Sequence, residues 1–405
     1  MSSQISRPLL ILFALLAILV TLSDLGHRRL ANPDEGRYSE ISREMAVTGD
    51  FVTPRLNDLK YFEKPPLQYW ATAMAFKAFG ESEFTARLYT ALCGIGCILL
   101  IAYTGKRVFD EETGLLAGTV MLSTPFFMAM AGIVTLDMGL TFWLTLAVCA
   151  FAISQHVASD PSRRHWLWVA WAAMAAAVLS KTLIGIVFPA AALFLYCLVQ
   201  RDFRMLLKLE WLRGLVIFFA IAAPWFVIIS MREPEFLQFH FIHEHFERFL
   251  STVHRREQPW WFFFPILFAG LLPLAVALIP ACVAGWRRPA SGGIEGHTFS
   301  PNKFLLIYSL FILLFFSKSG SKLPHYILPM FPVLALVMAT YLRDAEPRRL
   351  AWLVLPIFPL CLPLAYVAQA ALSARGDEFS RPLYEAASVW AAYAVAAMEI
   401  GRAHV

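Results

Sequence analysis

The chain has 405 residues, of which 59% are hydrophobic and 16% are charged, and its mean hydropathy is +0.60. A soluble domain is nearer half apolar and about one quarter charged, so this composition argues against a soluble protein. The net charge is a modest +5, and no Lys/Arg cluster lies beside stacking aromatics, which argues against a nucleic-acid partner. All six cysteines lie in apolar runs, so they are predicted to be small core residues rather than disulfides or a zinc knuckle.

Apolar runs follow one another along the chain. A membrane-spanning helix needs about 20 mostly apolar residues, and about eleven spans are predicted if short or broken ones are allowed. They cover residues 8–23, 84–104, 115–131, 138–156, 166–180, 182–199, 214–231, 261–285, 304–317, 324–342 and 350–372. The first run lacks a small-residue cleavage site, so it is predicted to be an uncleaved first transmembrane helix. The shorter segment Leu67–Phe79 is predicted to lie along the membrane interface.

The basic residues predict an orientation. With the N-terminus inside, every inside loop between spans is basic, as the positive-inside rule requires. These loops carry Lys106 and Arg107; Arg163 and Arg164; Arg201, Arg204, Lys208 and Arg213; Arg287, Arg288 and Lys303; and Arg343, Arg348 and Arg349. Three polar segments then lie outside, namely Ser23–Glu83, Arg232–Pro259 and Ser317–His325. Any active site is therefore predicted to face the periplasm.

The first outside segment contains a predicted amphipathic helix. Asn32 can cap it, Pro33 suits its first position, and Asp34 and Glu35 match the positive end of the helix dipole. Its side chains form an apolar face and a charged face, the first with Tyr38, Ile41 and Met45 and the second with Arg37, Glu40 and Glu44. This pattern predicts a helix lying on the membrane surface. By propensity alone, the two acidic residues are as easily capping residues as functional ones.

The block from Tyr61 to Trp70 follows in the same segment. Its Pro-Pro pair predicts a stiff, extended turn that presents Glu63 and Lys64 in a fixed direction. Lys64 could bind a lipid phosphate as a point charge, or it could be an interfacial lysine beside aromatic residues. Farther on, Asp137 begins an apolar helix that ends near Gln155, where it is either a cap or a functional carboxylate facing a cavity.

The other two outside segments carry further candidates. Residues 240–254 hold four histidines beside carboxylates, a composition that suits zinc or a similar ion, although the spacing differs from HExxH and a chance cluster remains open. Arg248 and Arg255 could contact phosphate oxygens. The Gly-, Ser- and Lys-rich loop from Lys318 resembles an anion cradle without P-loop spacing, and Tyr326 beyond it could donate to a phosphate or anchor the interface.

Three motifs resemble those of a known family. They are Asp-Glu-x-Arg-Tyr at 34–38, Tyr-Phe-Glu-Lys-Pro-Pro-Leu-x-Tyr-Trp at 61–70 and Lys-Leu-Pro-x-Tyr at 322–326. They resemble the ArnT-type lipid-carrier-dependent glycosyltransferases, relatives of the protein O-mannosyltransferases, and the resemblance runs from the first helix to about Tyr341. It implies an all-α polytopic membrane protein of the GT-C type, with about eleven transmembrane helices and periplasmic juxtamembrane helices.

The resemblance also implies an activity and a cellular location. ArnT-type enzymes move aminoarabinose from undecaprenyl phosphate to a phosphate of lipid A, so the implied partners are that donor, lipid A or a related periplasmic acceptor, and the membrane. The implied location is the bacterial inner membrane, with the active site facing the periplasm. Alternatives are a polyprenyl-phosphate-dependent mannosyltransferase acting on protein or glycan, a lipid or sugar transporter, and a non-catalytic scaffold. Transporters put ionisable residues near the midplane, whereas here the candidates crowd one face.

The family's functional residues carry over onto matching positions. Asp34 would be the principal catalytic carboxylate and Asp137 the second acidic residue. The carrier phosphate would be bound by Lys64 and Arg248, in a site lined by Arg37, Tyr61 and Tyr326. One divalent metal, with zinc preferred, would be held by Glu63 and a histidine, His243 rather than His245, and no organic cofactor is implied.

The resemblance further predicts how the chain is divided. Residues 1–372 form the polytopic transmembrane glycosyltransferase domain. Residues 373–398 would begin a periplasmic C-terminal region that is truncated, because family members continue into further helices and a periplasmic domain. Residues 399–405 read like a translated sequencing adapter and are predicted to be a non-native tail.

Overall fold

A computed structural model describes residues 7–23, 25–157, 159–240, 258–293 and 298–345. Within these ranges the fold is all-α apart from a two-residue-per-strand hairpin and one isolated bridge. The helices are α1 (Arg7–Leu22), α2 (Asp34–Thr48), α3 (Leu67–Phe79), α4 (Glu83–Val108), α5 (Glu111–Leu122), α6 (Pro125–Ala131), α7 (Leu136–Ser154), α8 (Asp160–Lys181), α9 (Ile184–Gln200), α10 (Trp211–Arg232), α11 (Phe263–Gly270), α12 (Leu278–Arg287), α13 (Pro301–Lys318) and α14 (Met330–Asp344). The hairpin strands are β1 (Arg55–Leu56) and β2 (Leu59–Lys60), which pair antiparallel. Short 3₁₀ turns cover Arg204–Lys208, Leu274–Ala277 and Pro324–Ile327.

Helix α7 is the central element of the helical body. It packs against α4, α8 and α9, and α4 in turn packs against α1, α3 and α5. Its side chains are apolar and buried almost all round, which is the pattern of a helix surrounded by other helices. By contrast, α1 and α10 leave Leu, Ile, Val and Phe side chains exposed, as helices that face lipid do. Four cysteines, Cys93, Cys97, Cys149 and Cys197, are buried core residues as predicted, whereas Cys282 is partly exposed and Cys361 lies outside the described residues.

Of the predicted spans, those over 84–104, 138–156, 214–231 and 304–317 correspond to long apolar helices, and the predicted total stays a prediction. In the described ranges, four helices are long and apolar enough to cross a membrane, or six if each of two bent pairs forms one span. Those pairs were predicted as continuous spans over 115–131 and 261–285, but the first bends by 71° between α5 and α6 and the second by 112° after α11. Pro125 and Pro273 lie at these bends, where proline cannot supply a helical N–H. The span predicted over 350–372 lies outside the described residues.

The first outside segment forms a small layer on one end of the body. Helix α2 buries the predicted apolar face, because Tyr38, Ile41 and Met45 pack with Tyr69 and Phe76 of α3. The segment predicted to lie along the interface is α3, with the predicted bounds. The start and the charged face of α2 differ from the prediction.

The predicted cap of α2 is wrong. The helix begins at Asp34, so Pro33 precedes its first residue, and no side chain caps it through a hydrogen bond. The charged face is also only partly exposed. Glu44 is buried, because its carboxylate accepts the backbone N–H groups of Asn57 and Asp58 in the hairpin turn. Glu44 therefore holds the hairpin against α2 instead of facing solvent.

Candidate active site

Polar contacts join the first two outside segments. The Thr53 hydroxyl donates to Glu233 over 3.1 Å, and the Lys60 ammonium lies 2.7 Å from the carboxylate of Glu235. Arg232 and Asp50 form a further ion pair at 2.8 Å. Residues about 180 positions apart in sequence therefore meet at one end of the helical body, which is where the topology predicted that both segments would lie.

A buried cluster fixes the start of α2. The Glu35 side chain is 1% exposed and lies 2.9 Å from Arg87 and 2.6 Å from Arg28. It also accepts the backbone N–H groups of Ala31 and Val134 at 2.8 and 2.9 Å. Burial alone would raise the pKa of Glu35, but these hydrogen bonds outweigh it and lower the pKa to about 2. This Glu35 cluster (Glu35, Arg28 and Arg87) therefore ties α2 to α4 and to the turn before α7.

Asp34 lies next to that cluster but in a different environment. Its side chain is 34% exposed, and its described partner is Arg37, whose guanidinium donates to it over 2.6 Å. The guanidinium also lies 5.0 and 5.9 Å from the ring centres of Tyr38 and Tyr61, distances at which a cation is attracted to an aromatic ring. The Tyr61 hydroxyl donates to Glu63 over 2.9 Å. Arg37 thus joins the 34–38 motif to the 61–70 motif.

The phenols of Tyr38 and Tyr61, beside Arg37, remain protonated. Burial raises the pKa of Tyr38, and the nearby Asp34, Asp137 and Glu63 carboxylates raise it further against the opposing effect of Arg37. Burial likewise raises the pKa of Tyr61, beside Tyr38 and Glu63. Both phenols therefore keep their O–H groups among carboxylates from two separate segments, and that of Tyr61 donates to Glu63.

Asp137 forms the second half of the site. It is buried at the start of α7, and its carboxylate pairs with Lys181 at 2.6 Å and lies 3.5 Å from the His325 ring. The Lys181 ammonium lies 4.8 Å from the ring centre of Tyr326, and the Tyr326 ring packs against Phe316. Residues from α7, α8 and the 322–326 motif therefore meet at one point, as the third outside segment was predicted to do.

The two predicted lysine-bearing loops behave differently. Lys64 is partly exposed, and its ammonium donates to the Glu63 carbonyl over 2.9 Å. In the loop predicted as an anion cradle, Lys322 is 7% exposed and donates inward to the Ser319 carbonyl over 2.7 Å. The Lys322 ammonium therefore closes its own loop, whereas the Lys181 ammonium pairs with the Asp137 carboxylate.

Two of the predicted site residues, Arg248 and His243, lie outside the described residues. Of the predicted metal pair, only Glu63 is described. In the described ranges, no group of three or more His, Cys, Asp or Glu side chains has the spacing to hold a metal ion. His240 is described, and both of its ring nitrogens are engaged by protein groups. One carboxylate does not make a metal site, so the predicted metal stays a prediction and no step is derived through it.

The sequence motifs missed Lys181 and Arg87, and they did not predict the partners of Glu35 and His325. Lys181 lies 44 positions from Asp137 in no motif, and His325 lies 188 positions away at the unspecified position of the 322–326 motif. Arg87 and Glu35 did carry a signal. A guanidinium inside an apolar helix is costly unless it is paired, so Arg87 near the start of α4 required an acidic partner.

The chain was compared with known proteins. Residues 7–240 match the dolichyl-phosphate-mannose-protein mannosyltransferase family. An undecaprenyl phosphate-alpha-4-amino-4-deoxy-L-arabinose arabinosyl transferase of Erwinia tasmaniensis is 33% identical over 330 residues, which are 81% of this chain and 58% of that protein. The chain therefore spans about three fifths of the length of the curated relatives it matches.

Solved structures give the same grouping. The structure of ArnT from Cupriavidus metallidurans bound to undecaprenyl phosphate has a TM-score of 0.89 and 34% identity, over 98% of this chain and 72% of that one. The archaeal oligosaccharyltransferase AglB from Archaeoglobus fulgidus has a TM-score of 0.54 at 14% identity, over 96% of this chain and 55% of that one, and it shares the fold alone. The chain belongs to the dolichyl-phosphate-mannose-protein mannosyltransferase family and, within it, to the ArnT type.

Proposed function

We propose that this protein transfers a sugar, aminoarabinose, from undecaprenyl phosphate to a phosphate of lipid A or a related periplasmic acceptor. The observation that carries the proposal is the meeting of two carboxylate–cation pairs, Asp34–Arg37 and Asp137–Lys181, at the end of the helical body where the outside segments meet. The names of the similar proteins, one solved with undecaprenyl phosphate bound, support this donor. The chain lies in the bacterial inner membrane, and the site would face the periplasm.

The charges suit the chemistry of such a donor. Its anomeric carbon carries a phosphate leaving group, so negative charge develops on the phosphate and positive charge on the sugar as the bond breaks. Lys64 and Arg37 would stabilise the leaving phosphate, with Arg248 as a third cation, because preorganised cations are most effective where charge develops. Tyr61 and Tyr326 would line the phosphate site, and protonated phenols can donate hydrogen bonds to phosphate oxygens.

The role of Asp34 depends on the acceptor. A hydroxyl acceptor must lose a proton, so Asp34 would accept it as a general base. A phosphate acceptor is already ionised and needs no base, so Asp34 would then orient the acceptor and stabilise the positive charge on the sugar. Asp137 would act beside it, through its contacts with Lys181 and His325, near the donor and acceptor.

The first experiment measures transfer of labelled aminoarabinose from undecaprenyl phosphate to lipid A in membranes that hold the full-length protein. We expect transfer by the parent and a loss of at least about 100-fold in Asp34→Asn, the lower end of what removing one preorganised electrostatic contact costs. Glu40→Gln is the matched control. Glu40 lies on the same helix, 32% exposed and paired only locally with Arg43, so its transfer rate should equal that of the parent.

Two results would count against the proposal. If the Asp34→Asn variant transferred at the parental rate, Asp34 would not be catalytic. If the folded parent transferred no aminoarabinose, the same assay with mannosyl carriers would test the mannosyltransferase alternative, which the family's name favours. Failure of both donors would favour the transporter alternative.

A further inference from the structure

His240 lies at the centre of a buried contact between three separate segments. It is 0% exposed, and its two ring nitrogens reach different parts of the chain. Nδ1 lies 2.7 Å from the Phe62 carbonyl oxygen, and Nε2 lies 2.9 Å from the Thr182 hydroxyl. The imidazole also stacks on the Phe236 ring, with centroids 5.0 Å apart and planes 14° from parallel. Stacking and two hydrogen bonds together leave the ring little freedom to turn.

The partners assign the tautomer of His240. A carbonyl oxygen can only accept, so Nδ1 carries a proton and donates to Phe62. In the neutral imidazole Nε2 is then an acceptor, and the Thr182 hydroxyl donates to it. A metal-bound histidine needs a free lone pair on one ring nitrogen, and His240 has none to offer. Its role therefore differs from the metal-ligand role predicted for His243.

The Thr182 end of this contact has an unusual backbone. Thr182 follows the last residue of α8 at φ 60° and ψ −131°, a region that β-branched residues rarely adopt. Such a residue costs on the order of 1–3 kcal/mol and persists only where its surroundings hold it. Here the Thr182 N–H donates to the Val178 carbonyl over 2.8 Å, and its hydroxyl is held by His240. The residue before it is Lys181, so this turn sets the direction from which Lys181 reaches Asp137.

The Phe62 end leads to the other cation. Phe62 is buried and is followed directly by Glu63 and Lys64, and then by the stiff Pro65-Pro66 pair. A hydrogen bond to the Phe62 carbonyl therefore fixes the chain at the point where the 61–70 motif turns toward the site. One imidazole therefore contacts both segments that carry lysines of the candidate site, Lys64 and Lys181.

We propose that His240 is a positioning residue that holds the Phe62–Lys64 and Lys181–Thr182 segments at a fixed separation. It touches neither substrate nor a reacting group, and it acts through the Phe62 carbonyl and the Thr182 hydroxyl. Its effect on transfer rests on the proposed function, whereas its effect on the two segments does not. The loss of either hydrogen bond lets Lys64 and Lys181 move relative to each other, and small displacements of positioning groups can reduce a rate up to about 100-fold.

The test compares two threonines in the full-length protein. Thr182→Val removes the hydroxyl that bonds His240, with nearly the same side-chain shape. Thr340→Val is the matched control, because the Thr340 hydroxyl accepts a buried hydrogen bond from Asn302 over 3.1 Å at the other side of the body. We expect Thr182→Val to lower kcat about 10-fold, with a smaller change in the KM for the donor. Thr182→Ser, which keeps the hydroxyl, should restore the parental kcat, and Thr340→Val should lower Tm by a similar amount with kcat unchanged.

Hydrogen exchange provides a readout that does not depend on activity. In Thr182→Val and in His240→Phe, amides in residues 60–66 and 179–185 should exchange faster, and in Thr340→Val they should not. The double variant His240→Phe/Thr182→Val should be no slower in transfer than the worse single variant, because Thr182→Val removes a contact that His240→Phe already breaks. If the parent transfers no sugar, the proposed function fails, and the exchange result alone decides whether His240 holds the two segments together. Parental exchange in both segments, or a kcat loss in Thr340→Val equal to that in Thr182→Val, would overturn the proposal.

Discussion

Asp34 and Glu35 are neighbours in sequence, yet the two carboxylates have opposite surroundings. Glu35 is 1% exposed and is bonded by two arginines and two backbone N–H groups. Asp34 is about one third exposed and pairs with Arg37. Successive residues on a helix point about 100° apart, so α2 turns Glu35 into the helical body and Asp34 toward Arg37 and the candidate site. A carboxylate with every lone pair engaged is suited to hold structure, and one with lone pairs to spare is suited to act on a ligand.

The same contrast extends to the two clusters around them. In the Glu35 cluster, both arginines also donate to backbone carbonyls, so the charges are locked in place. Around the candidate site, the cations Arg37 and Lys181 reach one carboxylate each and lie over aromatic rings. The comparison predicts that changes in the first cluster affect stability and that changes in the second affect transfer.

The largest expected effect on stability is that of Arg87→Met. Removing one partner of a buried pair leaves a buried charge under-compensated, which costs about 3–5 kcal/mol. We expect a large drop in Tm in detergent, measured by thermal unfolding. Arg43→Met is the control, because Arg43 is 41% exposed in its pair with Glu40 and should cost less than about 1 kcal/mol. Equal Tm values for the two variants would break the comparison.

A second prediction concerns pH. The pKa of Glu35 falls from an ordinary 4.5 to about 2 on folding, so the ionised carboxylate stabilises the folded state fully above pH 4.5. That contribution, about 3 kcal/mol for a shift of this size, is lost as the pH falls from 4.5 toward 2. Measured across this range, Tm should fall more steeply in the parent than in Glu35→Gln, and the two should converge near pH 2. Parallel curves would contradict the assignment.

A third prediction tests whether a change in the candidate site lowers the transfer rate. Lys181→Met removes the cation beside Asp137 and should lower transfer about 10-fold, the effect of losing roughly 1.4 kcal/mol of transition-state stabilisation. Lys106→Met is matched to it, since Lys106 also pairs with a carboxylate, Glu111, but at an exposed position outside the site. Transfer assays on the two variants should show the loss in Lys181→Met and not in Lys106→Met. A Lys181→Met variant that loses stability but keeps the parental kcat would place Lys181 with the Glu35 cluster instead.

The smallest expected effect is that of Tyr61→Phe. It removes one hydroxyl that donates to Glu63, and a hydrogen bond of this kind contributes about 0.5–1.5 kcal/mol. We expect kcat/KM for transfer to fall about 2- to 10-fold with little change in Tm. Tyr103→Phe, at an exposed position on α4, should match the parent in both measurements. A loss in Tyr103→Phe would indicate a general effect of the membrane-facing aromatics.

Much of the fold was predictable because hydropathy and helix periodicity are local properties. The bounds of α3, the start of α7 near Asp137 and the buried face of α2 all follow from residues within one or two turns of each other. The 71° and 112° bends were not predicted, although Pro125 and Pro273 marked where a continuous span could break. A window of apolar residues reports burial in lipid and carries no information about whether the helix axis changes direction within it.

The candidate site was predictable only in part, for a related reason. The sequence marked Asp34, Arg37, Tyr61, Glu63, Lys64, Asp137 and Tyr326. The structure joins their side chains through direct contacts or shared neighbours, except that of Lys64, whose ammonium bonds the Glu63 carbonyl. The partners that orient them come from elsewhere in the chain. Lys181 belongs to no local motif, and His240 was marked only as one of four clustered histidines, because their contacts span 44, 58 and 178 positions of sequence. Such pairs are set by how helices pack, which the local sequence does not encode.

The turn at Thr182 has a consequence for how this chain could vary over evolution. Only Thr182 and Leu183 separate α8 from α9, and both the direction of Lys181 and the partner of His240 depend on the first of them. An inserted or deleted residue here would rotate Lys181 away from Asp137, so we expect related lineages to keep the length of this turn. The connection from Arg201 to Glu210 at the opposite ends of α9 and α10 has no such tie to the site, and we expect its length to drift freely.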